Sequence, residues 1–131
     1  MSYENHHGEL EPSVITAVGR LFSEDSGRIA DLLRESGGGP RVHRIILAMA
    51  MHDSKLLESL CKRCATDVRD VLKLEDEPEE HWPHIPRKDD AAAELARRYD
   101  WLDFVVPSSL AYWGQWSKNW RPEWSIGPFG Q

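Results

Sequence analysis

Apolar residues recur along this chain at steps of three and four, the spacing that stacks side chains on one face of an α-helix. Val14, Ile15, Val18, Leu21 and Phe22 form the first such stripe, and Pro12 suits its opening turn. A shorter stretch, about Arg28 to Glu35, offers Ile29, Leu32 and Leu33 to the same core. Ser36-Gly37-Gly38-Gly39-Pro40 ends it, with glycine for a left-handed cap and proline to forbid continuation. From Arg41 to Met51 apolar residues fall on every side of the helical wheel, which predicts a central, buried helix.

Asp53 or Ser54 is placed to cap the longest predicted helix, Lys55 to Leu74. Its apolar stripe is Leu57, Leu60, Cys61, Cys64, Val68, Val71 and Leu72. The opposite face sets Glu58 against Lys62 and Arg63 against Asp67 at favourable four-residue steps. An acidic run, Glu75 to Glu80, and the prolines at 78, 83 and 86 predict an ordered loop. Asp89 or Asp90 then caps a fifth helix, Ala91 to Tyr99, with Ala92, Leu95, Ala96 and Tyr99 facing inward.

Ser108 is positioned to cap a last helix carrying Leu110, Trp113, Trp116 and Trp120, which Pro122 stops near Asn119 to Arg121. Trp124 then falls on an extended tail. The pattern as a whole predicts an all-α fold, a small single-domain bundle of five or six helices. Residues 1–11 are expected as a mobile arm, 12–121 as the helical domain, and 122–131 as an aromatic tail.

Four of the six tryptophans lie between Tyr112 and Gly130. Each tryptophan can bury up to ~250 Å² of surface, so this segment belongs in a core or against a partner. Trp113, Trp116 and Trp120 share a narrow stripe that an internal core could take up. Tyr112, Trp116, Arg121 and Trp124 instead supply the residue types that dominate protein–protein interfaces, and they are the candidate partner-binding set.

Charge and composition narrow the classes. Sixteen basic and 22 acidic residues give a net charge of −6, which argues against a nucleic-acid backbone as ligand. The longest apolar run, Ile45 to Met51, is far short of a membrane span, and the polar start of the chain has no leader-like apolar core. A cytoplasmic protein with reduced thiols is expected, since two cysteines three positions apart cannot staple a fold.

Those cysteines raise the one chemical alternative. Cys61-x-x-Cys64 with His81-x-x-His84 has the donor count of a tetrahedral zinc site. Against it, the cysteines fall mid-helix on an apolar stripe and the histidine spacing is short for a zinc finger. His52-Asp53 resembles the ligand pair of HD-type metal phosphohydrolases, over those two residues alone. The simpler account gives Asp53 to helix capping. Paired carboxylates at Asp67/Asp70 and Asp100/Asp103 each sit beside arginines, as solvated ion-pair faces do. No phosphate-binding glycine loop and no nucleophile elbow occur. No cofactor is expected.

Asp67-Val68-Arg69-Asp70-Val71-Leu72, with the later Tyr99-Asp100-Trp101-Leu102, resembles a group of short bacterial proteins carrying a similar Asp-x-Arg-Asp-Val-Leu helix end. The resemblance implies no activity. The residues lead to a non-enzymatic module that binds a protein partner or its own copy, with metal binding as the alternative.

Overall fold

The computed structural model describes residues 10–108 and 110. Among the described residues there are seven helices and no strand, so the fold is all-α. The tryptophans of the expected last helix and tail, and most of the N-terminal arm, lie outside the described residues. The chain divides into two compact units, Met1–Val71 and Leu72–Gln131.

The first unit holds α1 (Pro12–Leu21), α2 (Ser26–Ser36), α3 (Gly39–Ala50) and α4 (Ser54–Thr66). The central element is α3, as the unbroken apolar run requires. Val42, His43 and every residue from Ile45 to Ala50 are buried. It packs on α1 and α4, and α2 packs on the same two helices. Each fully buried Ile or Leu of this core contributes roughly 1.5–3 kcal/mol. Glu11, just ahead of α1, reaches Arg44 of α3 at 2.5 Å and so fixes the entry of the chain.

Pro40 does more than end α2. It sits in the first turn of α3, where a missing N–H costs no hydrogen bond. The reversal between the two helices is therefore short, and Gly37, Gly38 and Gly39 all take positive φ (77°, 80° and 83°).

The single helix expected over 55–74 is two helices. Asp67 has extended backbone (φ −156°, ψ 107°) and separates α4 from α5 (Val68–Asp76), which spans the boundary of the two units. Its N–H donates to the Arg63 carbonyl and closes α4. Its carboxylate accepts from the Arg69 N–H at 3.0 Å and opens α5. A short acceptor side chain that offers the backbone an alternative partner is the physical cause of the break.

In the second unit the predicted proline loop contains a four-residue helix, α6 (Pro78–His81), with Pro78 in its first turn. The last described helix, α7 (Lys88–Trp101), packs on α6 and begins earlier than expected. Arg87 is its N-cap residue, and neither Asp89 nor Asp90 caps it. Both aspartates occupy the first turn, where the helix dipole favours carboxylates, and both pair with Arg87 (2.8 and 3.8 Å).

The far end of α7 is a Schellman turn. Asp103 takes φ 64°, its N–H donates to the Asp100 carbonyl, and the Phe104 N–H donates to the Tyr99 carbonyl. The turn brings the Phe104 ring edge-on to Tyr99, with centroids 5.8 Å apart. Tyr99 is buried and donates its hydroxyl to buried Glu75 at 2.7 Å. Arg98 lies 4.8 Å over the ring of buried Trp82. Among the described residues no helix is long and apolar enough to cross a membrane.

Candidate functional site

The first unit carries a cleft between α2 and α4. Arg28 meets Glu58 at 2.5 Å, and eight residues further along α2 the Ser36 carbonyl accepts from the Cys64 thiol at 3.5 Å, so the two helices run in the same sense. A cavity of about 300 Å³ lies between them. Leu32, Cys61 and Ala65 supply its apolar lining, and Glu35, Ser36, Glu58 and Lys62 its polar lining. The site is of the size and character of small binding clefts, mainly apolar with a few polar groups.

The charges of this cleft are unevenly satisfied. The sequence pattern pairs Glu58 with Lys62, yet Glu58 bonds Arg28 of α2, which also holds Asp25. A second expected pair, Arg63 with Asp67, is likewise replaced, because Asp67 takes Arg69 at 3.1 Å. Asp31 and Arg34 pair along α2. Among the described residues Glu35 and Lys62 have no ion-pair partner.

Both cysteines are free and buried. Burial first, and the neighbouring Cys64 second, push the Cys61 thiol up to about 11. Burial also raises Cys64, against the opposing pull of its Ser36 hydrogen bond. Protonated thiols of this kind act as small apolar packing groups. Cys64 packs against the glycine turn, where its sulfur would be 2.8 Å from a Cβ added at Gly38.

Of the zinc donors considered from the sequence, Cys61 and Cys64 belong to the first unit and His81 and His84 to the second. His81 closes α6 and meets Trp82 edge-on at 5.6 Å, and His84 is exposed in the following turn. Among the described residues no group of three or more His, Cys, Asp or Glu could hold a metal ion. The same finding applies to His52-Asp53. The His52 Nδ1 lies 3.3 Å from the Leu21 carbonyl, and Asp53 accepts from the Leu56 N–H at 3.1 Å as the N-cap of α4. The two side chains are committed to neighbouring backbone.

His43 is 5% exposed and donates from Nε2 to the Gly37 carbonyl at 2.7 Å. Its Nδ1 is buried without a hydrogen-bond partner, and burial holds its pKa below the usual histidine range. Burial followed by the charge of Asp103 raises the carboxyl of Asp100.

The candidate partner-binding residues Tyr112, Trp116, Arg121 and Trp124 lie outside the described residues. The apolar pattern does not disclose the α2/α4 cleft, because it assigns both Leu32 and Cys61 to the core. The available signal is Ala65, one turn beyond Cys61 and facing the same way, beside a charged residue at 62. No protein-family model, curated protein or solved structure matches this chain.

Proposed function

We propose that this chain is a non-enzymatic interaction or accessory module of the cytoplasm, working through contact with a protein partner or with its own copy. The observation that carries this reading is the placement of four of six tryptophans, with Tyr112 and Arg121, in one C-terminal segment. Those are the side chains that concentrate binding energy at interfaces. The fold is consistent with it, since the cysteines, His43, His52 and Asp53 are occupied in packing, capping or backbone hydrogen bonds. The acidic balance, −6, favours a protein over a polyanionic partner.

Fluorescence quenching of the intact chain, with size analysis of Trp124→Ala and of a chain ending at Asn119, tests it. Interaction predicts tryptophans open to acrylamide in dilute solution and an oligomer or bound partner lost in both variants. If the shortened chain stays folded with the same partners and oligomeric state, the aromatic segment has a structural role only.

A further inference from the structure

Within that reading, and resting on it, we infer that the partner for the α2/α4 cleft is a second copy of this chain, docked about a two-fold axis. The cleft is apolar between its walls, at Leu32, Cys61 and Ala65. One wall carries Glu35 and the other carries Lys62. On the α2 wall the neighbouring ions are neutralised internally, Arg28 by Asp25 and by Glu58 of α4, and Arg34 by Asp31. Among the described residues, Glu35 and Lys62 alone of the charged groups lining the cleft have no ion-pair partner.

An unpaired anion and an unpaired cation on opposite walls form a self-complementary pattern. A two-fold axis lying in the plane of the contact and running along the cleft places Glu35 of each copy over Lys62 of the other, so both charges are satisfied twice in one closed dimer. The small side chain of Ala65 lets the two faces approach, and Leu32 of each copy covers the apolar strip of the other. Each copy brings only one ion pair and a short apolar strip of Leu32, Cys61 and Ala65 to the contact, so the association is weak and concentration-dependent. Because its charge pairs lie at the rim, it also weakens with salt.

Sedimentation equilibrium of the full-length chain from micromolar to millimolar concentration reads this directly. Wild type is expected to show a salt-sensitive monomer–dimer equilibrium. Glu35→Lys and Lys62→Glu each weaken it by roughly tenfold or more, because each opposes like charges across the axis. An equimolar mixture of the two variants recovers dimer. In that mixed pair the ammonium introduced on α2 of one chain meets the carboxylate introduced on α4 of the other, and the two unsubstituted positions keep their native Glu35–Lys62 contact. Thermal melts check that both surface variants stay folded. A dimer unchanged by either variant overturns the cleft as its interface while sparing self-association through the aromatic segment. A chain monomeric at every concentration removes self-association itself, and leaves only a foreign partner for the broader reading.

Discussion

A Cβ added at Gly38 would lie 2.8 Å from the sulfur of Cys64 and 2.9 Å from Cγ1 of Val42. Gly38 is also at φ +80°, where a side chain is strained by its own backbone. Two independent costs therefore meet at one residue. Gly37 has open space around its Cβ position and a different backbone (φ 77°, ψ −141°), so its substitution reports strain without a clash. Gly37→Ala should lose about 1–2 kcal/mol from backbone strain alone. Gly38→Ala should lose a further ~1–3 kcal/mol from overpacking, part of it recovered by adding Cys64→Ala. Urea unfolding midpoints of the three variants give the comparison, and a Gly38→Ala loss that Cys64→Ala does nothing to recover would contradict the close approach.

This turn also shows what the sequence could and could not disclose. Three consecutive glycines followed by proline mark a chain reversal, and the run from Ile45 to Met51 marks a buried helix, because both depend on local backbone rules and apolar pattern. The break at Asp67 is hidden, since a stripe at three- and four-residue steps continues across it and only the hydrogen bond to Arg69 reveals the cap. The partner of Glu58 is hidden for a similar reason. Lys62 is near in sequence, but Arg28 is thirty residues away and is delivered by packing of α2 on α4. The cleft depends on that same packing, so no one-dimensional pattern contains it.

His43 ties stability to pH. In the folded chain its imidazole is buried and its pKa is depressed, so the native state resists a proton that the unfolded chain accepts near pH 6.5. The stabilisation is complete above that value and is lost as pH falls toward the folded pKa. The slope approaches ~1.4 kcal/mol per pH unit between the two values. Urea midpoints of wild type and His43→Gln between pH 7.5 and 5 isolate the contribution from that of the carboxylates. His43→Gln should be the less stable at pH 7.5 and should narrow the gap on acidification. Parallel curves would rule out the buried neutral imidazole.

The second unit is held at its centre by the bond from the Tyr99 hydroxyl to Glu75, 2.7 Å long between two buried side chains. Removing the donor takes one hydrogen bond away from a buried carboxylate. Tyr99→Phe should therefore cost about 1–3 kcal/mol, although it keeps the ring against Phe104. A variant as stable as wild type would mean that the hydrogen bond contributes nothing.

The Schellman turn links Asp103 to the carboxyl of Asp100. Asp103 sits at φ 64°, which asparagine tolerates about as well as aspartate, so Asp103→Asn removes charge without changing the backbone demand. The carboxyl of Asp100 is raised by burial and then by Asp103. The variant should bring its titration down toward, but not fully to, the ordinary carboxylate range, because the burial contribution stays. Carbon-detected titration by NMR follows Asp100 alone. An unaltered midpoint would show that the two carboxyls do not influence one another.

The cysteines supply a test that needs no substitution. Thiol–disulfide reagents attack through the thiolate, so their rate follows the ionised fraction and access. With its pKa pushed to about 11, Cys61 is ionised at pH 8 to only about one part in a thousand, against roughly a quarter for an ordinary thiol. Cys61 of the native chain should therefore react with an aromatic disulfide reagent roughly a few hundredfold more slowly than in guanidinium chloride. Both sulfurs should appear together on unfolding. Rapid labelling of either thiol in the native chain would show that the α2/α4 contact opens readily, and that Ser36 and the glycine turn do not hold Cys64 in place.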